Sequence, residues 1–256
     1  MNYNAELLSL LPIKDVRASL IRPPGLKWER RDASALKGLC FHQSLDDVST
    51  VQGLAKYFAG PNHISDKGLP GISYTMVVEQ SGDAFLVNDI EDKTFSQGDA
   101  SKPGDENVLY MGVCFCGNFS GPGYQGTQEP TTAQMNTADR LWSTCKGLWG
   151  WKNNQLFGHY HFGKPACPGF TLTHFIETVN ADKDWKDPKY DLSETEGRQE
   201  ALKELGYWRG PIDGKWGPEC RLALTQFQAK VGLGADGVWG PKTNAAIVAQ
   251  AKIKAE

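Results

Sequence analysis

The sequence has no run of apolar residues approaching the roughly 20 needed to cross a bilayer, so no membrane-spanning helix is expected in its 256 residues. Nor has it bulk charge to offer a polyanion. Its 27 basic and 30 acidic side chains leave a formal charge of -3, which gives neither nucleic acid nor an anionic lipid surface a general hold. Cysteine is sparse. Cys40, Cys114, Cys116, Cys145, Cys167 and Cys220 are too few for a disulfide scaffold in a chain this long and fit a reduced compartment. Each is then core filler or ligand. The opening MNYNAELLSLLPIKD lacks a basic start and carries Glu6, so it does not read as a secretion signal. Synthesis in a cytoplasm without a signal peptide is the expectation.

What is present is a core. Hydrophobic residues at 40%, aromatic at 11% and charged at 22% exclude disorder for most of the chain. The length exceeds one ordinary domain of roughly 150 residues and predicts a larger domain with a small module. Near the end, IDGKWGPECRLAL and ADGVWGPKTNAAI align with Asp213 opposite Asp236, an internal repeat with a period of 23 residues. In each copy Asp-Gly makes a turn, Trp packs, and Pro218 or Pro241 opens a helix, because proline at the first helical position forfeits an amide that no intrahelical carbonyl would have accepted. Upstream, Ala201, Leu202 and Leu205 have helical spacing that ends at Gly206. Three helices are therefore expected in residues 195–256. The polar stretch at 181–194 reads as a linker, and residues 1–24 as an N-terminal extension. Between them, 25–180 carries strand-like LKGLCFHQS, ISYTMVVEQ and LYMGVCFCGNF and an amphipathic helix in PTTAQMNTADRLWSTCKGL with Pro130 and a Thr cap in its first turn. The predicted class is α/β with a central mixed sheet flanked by helices.

Chemistry concentrates in GHYHFGKPACPGF, where His159 and Cys167 stand among Gly163, Pro165, Pro168 and Gly169. Such a segment is expected to loop rather than form a regular helix or strand, and a loop can bring an imidazole and a thiolate to one point, as zinc requires. A third candidate ligand, His42, ends the strand LKGLCFHQS, where α/β proteins place site residues. His42, His159 and Cys167 thus make a candidate three-ligand zinc site. The residues alone leave alternatives open: a structural histidine and a core cysteine, His161 in place of His159, or Cys40, two residues from His42. Cys114 and Cys116 read as strand core, and Trp142, Trp149, Trp151, Trp216 and Trp239 as packing residues.

Five motifs in order resemble the zinc N-acetylmuramoyl-L-alanine amidases of the amidase type 2 and peptidoglycan-recognition-protein superfamily, which includes phage endolysins. CFHQS resembles the strand bearing the first ligand, and NHISDKGLPGISYTMVVEQSGDAF the following turn, strand and hairpin. MGVCFCGNF, EPTTAQMNTADRLW and GHYHFGKPACPG resemble the later strand, helix and closing loop. The region ALKELGYWRGPIDGKWGPECRLALTQFQAKVGLGADGVWGPKT resembles the three-helix peptidoglycan-binding domain of wall hydrolases. The resemblance implies zinc on His42, His159 and Cys167, and hydrolysis of the amide joining the lactyl group of N-acetylmuramic acid to L-alanine. It implies catalytic roles for Tyr74 and Lys164 and a substrate-groove role for His63. Lys164 falls one step before the position where many relatives carry Lys or Thr, here Pro165. Cys114 replaces a catalytic Glu of another branch, whose acid-base scheme does not transfer. The implied partner is bacterial peptidoglycan, reached by a monomer without membrane insertion after the membrane is permeabilised. A recognition protein without activity and a zinc peptidase cutting the stem peptide are the competing readings.

Overall fold

A computed structural model of the chain describes residues 2–97, 105–181, 192, 194–240, 243, 246–247 and 250. Contacts divide the chain into two compact units, Met1–Trp142 with Asn154–Ala181, and Ser143–Asn153 with Asp182–Glu256. Pro241 and most of the expected linker at 181–194 lie outside the described residues.

Up to Ala181 the chain runs α1 (Tyr3–Leu10), β1 (Ile13–Asp15), β2 (Gly38–Gln43), α2 (Val51–Ala59), β3 (Met76–Val78), β4 (Ala84–Leu86), α3 (Glu106–Leu109), β5 (Tyr110–Phe115), α4 (Thr132–Trp149), β6 (Leu156–Gly158) and α5 (Phe170–Ala181), with the end of α4 from Ser143 on counted in the second unit and the rest in the first. Its six-stranded sheet has the order β1-β4-β3-β5-β2-β6. Only β3 and β4 pair antiparallel; every other pairing is parallel. The mixed sheet expected from the sequence is therefore present. Every residue of β2 is buried, as befits a strand covered on both faces. On one face Phe41 meets Phe115 and Phe175 of α5. On the other, Cys114 and Cys116 join Val51, Leu54 and Phe58 of α2 in the core.

Two boundaries differ from the sequence reading. Residues 1–24 are no mere extension, because β1 pairs with β4 at the sheet edge and Leu7 of α1 is fully buried. The strand expected at ISYTMVVEQ shortens to β3, because the Asn88 carboxamide takes the Ile72 and Tyr74 carbonyls at 2.6 Å each. The helix expected from Pro130 onward is α4. Its cap is reciprocal: the Gln134 amide donates to Thr131 Oγ1 at 3.1 Å, and the Thr131 amide to Gln134 Oε1 at 3.0 Å.

In the second unit, α6 (Thr195–Glu204) precedes Gly206, whose φ of +87° fits the expected glycine stop, and α7 (Pro218–Lys230) opens on Pro218. Residues 243, 246, 247 and 250 are also helical. The two repeat turns are held alike. Buried Gln199 of α6 accepts the Asp213 and Gly214 amides, and buried Gln228 of α7 accepts the Gly237 amide. Trp216 and Trp239, at equivalent repeat positions, meet edge to face at 5.5 Å.

Candidate metal centre

Sheet register assembles the site. β2 and β6 run parallel with Phe41 opposite Gly158, so the next residue in each segment is a histidine, His42 within β2 and His159 just past β6, at the C-terminal strand ends where α/β folds place site residues. Their rings lie 4.5 Å apart. A single 3-10 turn, His159–Phe162, follows β6 and stops at Gly163, whose φ of +86° only glycine adopts readily. This one turn is more regular than the loop expected from the glycines and prolines. The chain then folds back: the Lys164 amide donates to the His159 carbonyl at 3.3 Å, the Cys167 amide to the Lys164 carbonyl at 3.0 Å, and the Tyr160 amide to the Cys167 carbonyl at 2.9 Å. Cys167 is thereby returned to the histidines.

The donor atoms of His42, His159 and Cys167 all lie within 4.8 Å of one another, and His42 Nδ1 is 4.0 Å from Cys167 Sγ. Zinc bonds of about 2.0–2.3 Å keep tetrahedral donors roughly 3.3–3.8 Å apart, so a small side-chain adjustment closes the site on an ion. The donor chemistry agrees. His42 is 1% exposed and its Nε2 has no hydrogen-bond partner, unlike a satisfied structural histidine. Burial, with His159 beside it, holds the His42 imidazole well below its usual range. Burial and then the Lys164 charge lower His159 to about 4, so both rings are neutral at pH 7, the form in which an imidazole can bind a metal. Burial pushes the Cys167 thiol up to about 12 despite a bond from the Gln43 amide. That thiol keeps its proton at neutral pH unless a cation displaces it.

The alternative ligands do not join this group. His161 is exposed, with Nδ1 at 3.2 Å from the main chain of Gly158, and Cys40 is buried outside the converging set. Tyr74 stands beside His42 with ring centroids 5.1 Å apart. Its phenol is pushed well above its usual range, first by burial and then by the neighbouring Cys114. Lys164 is exposed on the returning loop, near enough for its charge to act on His159. His63 is not among the three. It lies on an exposed loop with Nδ1 2.7 Å from the Tyr57 hydroxyl and its ring against Phe58, which in turn meets Tyr74. Trp142 and Trp151 are buried, and Trp149 stacks on Trp151 at 5.1 Å, which fits packing roles.

Two supporting residues carry no sequence signal. Asn88, fully buried, fixes the Tyr74 carbonyl while its own Oδ1 accepts from Arg22 and Trp28. Gln43 ties the end of β2 to Phe119 and Ala166.

Comparison with known proteins bears on both units. The family model for N-acetylmuramoyl-L-alanine amidase matches residues 33–170, and that for a peptidoglycan binding domain matches residues 198–247. The N-acetylmuramoyl-L-alanine amidase CwlM of Mycobacterium tuberculosis is 42% identical over 45 residues, covering 18% of this chain and 11% of that protein. The chain thus corresponds to only a small part of that relative. Among solved structures, the endolysin amidase LysCS of Clostridium intestinale is 18% identical over 65% of this chain and 93% of its own, with a TM-score of 0.48. Peptidoglycan recognition protein-LE, solved with tracheal cytotoxin, is 16% identical over 65% and 93%, with a TM-score of 0.50, a likeness of fold. With the amidase match spanning more than half of its length, the chain belongs to the N-acetylmuramoyl-L-alanine amidase family.

Proposed function

We propose that this protein is a zinc-dependent amidase that hydrolyses the bond between N-acetylmuramic acid and L-alanine in bacterial peptidoglycan. The observation that carries the reading is the convergence of His42, His159 and Cys167 within 4.8 Å on a family-matched scaffold. Three protein ligands are the number of a catalytic zinc site, whereas structural sites use four. A zinc ion held there would polarise an amide carbonyl and acidify a water molecule to a pKa near 7. The remaining work falls to the chain. Tyr74 keeps its proton at neutral pH and is our first choice to donate to the carbonyl oxygen as charge develops on it. Lys164, on the exposed loop, is the second donor, and His63 lines the approach of the substrate.

The second unit is assigned to peptidoglycan binding. Attachment to an insoluble polymer raises the local concentration of the catalytic unit without chemistry of its own. That benefit suits wall lysis, as by an endolysin acting as a monomer, better than turnover of soluble muropeptides. Among the described residues no helix is long and apolar enough to cross a membrane.

Digestion of purified peptidoglycan by the zinc-loaded protein, read by mass spectrometry, tests the reading. Free lactyl muramic acid with new L-alanine amino termini is expected. Cuts inside the stem peptide would make the protein a peptidase, and pelleting with sacculi without any cut would make it a recognition protein. Native protein in the periplasm of unlysed cells would contradict the endolysin role.

A further inference from the structure

We infer that Gln43 is a positioning residue for the metal centre, locking the thiol of Cys167 onto the end of β2 beside His42. The inference rests on the assignment of His42, His159 and Cys167 as ligands. Along a strand successive side chains alternate between faces, so Gln43 points away from the ligand face that His42 occupies. The adjoining Ser44 amide bonds the Phe115 carbonyl on the β5 side at 3.1 Å. The Gln43 amide therefore faces the β6 side, where β6 has already ended at Gly158. In place of a ladder carbonyl it finds Cys167 Sγ at 3.4 Å. The sulfur occupies the next rung of the sheet.

The carboxamide secures the same loop from the other face. Gln43 is 3% exposed. Its Oε1 accepts the Phe119 amide at 2.5 Å, and its Nε2 donates to the Phe119 carbonyl at 3.0 Å and to the Ala166 carbonyl at 2.9 Å. Ala166 directly precedes the sulfur ligand. The segments it joins are already in close contact: the Phe170 amide bonds the Ser120 carbonyl at 2.7 Å, and a Cβ on Gly121 would lie 2.4 Å from the Ala166 carbonyl oxygen. One residue thus adjoins the first ligand in sequence, donates to the third ligand from its main chain, and fixes the third ligand's neighbour through its side chain. Outer-shell partners of this kind orient ligands, and their loss commonly weakens metal binding 10- to 100-fold.

The test compares wild-type protein with Gln43→Met, which keeps length but removes both polar atoms, and Gln43→Glu, which keeps the acceptor for Phe119 and loses both donors. Phe175→Leu, which trims the ring stacked on Phe41, serves as a stability control. Zinc affinity is measured by chelator competition, and the cobalt-substituted forms are read by their thiolate-to-metal charge-transfer band. Expected is a loss of zinc affinity of about 10- to 100-fold in both Gln43 variants with a weakened charge-transfer band, while Phe175→Leu lowers the Tm and leaves both unchanged. Unchanged affinity and spectrum in either folded Gln43 variant would overturn the inference. Wild-type protein loaded with an NMR-active cadmium isotope gives a readout that needs no variant: scalar coupling from cadmium to the Gln43 amide proton is expected, and its absence overturns the inference. Failure of the wild-type protein to bind any stoichiometric metal would instead remove the ligand assignment beneath it.

Discussion

Replacing Gln199 with methionine keeps the length of a side chain that has no exposed surface and deletes its carboxamide. The oxygen accepts the Asp213 and Gly214 amides at 3.0 Å each; the nitrogen donates to Asp213 Oδ1 at 3.0 Å and the Lys215 carbonyl at 3.1 Å. Asp213 and Lys215 are exposed, so water can re-engage the carboxylate and the carbonyl. The two amides point inward and lose their acceptor. An orphaned buried donor costs about 1–3 kcal/mol, and partial relaxation of the turn favours the lower half, giving about 2–4 kcal/mol for the pair. Gln228→Met in the second repeat orphans the single Gly237 amide, bonded at 2.9 Å, and should cost about 1–2 kcal/mol by the same rule. Amide hydrogen exchange in the full chain reads each turn separately. A 2 kcal/mol loss corresponds to roughly 30-fold faster exchange at Asp213 and Gly214 where local opening limits it. If Gln199→Met changed these rates by less than about threefold, or if Gln228→Met proved the costlier variant, the reasoning would be refuted.

The metal centre yields three more expectations. His161→Ala should leave zinc stoichiometry intact, since its ring turns to Gly158, whereas His42→Ala should abolish it; elemental analysis decides. Tyr74→Phe should lower kcat by about 10² to 10³ with KM nearly constant and with zinc content unchanged, and a larger shift in KM than in kcat would assign it to binding instead. In the metal-free protein, His159 titrates near 4 when folded against an ordinary value of 6.5. The unfolded chain therefore binds more protons between these limits, so stability should fall as pH drops from about 6.5 to 4. Urea midpoints across that window measure the effect, and a midpoint that stays flat or rises on acidification would contradict it.

Elements with strong local patterns were legible in the sequence. β2 and β5 are buried almost throughout and read as buried strands, while α4 and α7 announce themselves by Pro130 with a Thr cap and by Pro218. The candidate ligands His42, His159 and Cys167 stand out by residue type and motif order, but nothing local says that Phe41 pairs with Gly158, the register that sets the two rings side by side. Short elements leave no such signal. β1 and β6 have three residues each, too few for a period to show, and their pairing is fixed by partners distant in the chain. Gln43, Asn88 and Gln199 leave none for a related reason. A buried carboxamide is ordinary in composition, and its role depends on which main-chain groups tertiary structure leaves unpaired around it.

The first strand has a practical bearing on how the amidase-family unit can be cut out. The family match begins at residue 33, and a fragment trimmed to that point would lose β1 from the side of β4. It would also lose the burial of Leu7, Leu11 and Ile13. An uncovered strand flank is a template for self-association, so such a fragment, left with apolar β4 as its edge in place of the short charged β1, should self-associate more readily than the longer chain. The leading residues, far in sequence from the candidate ligands, thus give the sheet a short selvedge bearing Lys14 and Asp15 in place of the apolar Ala84–Leu86 of β4.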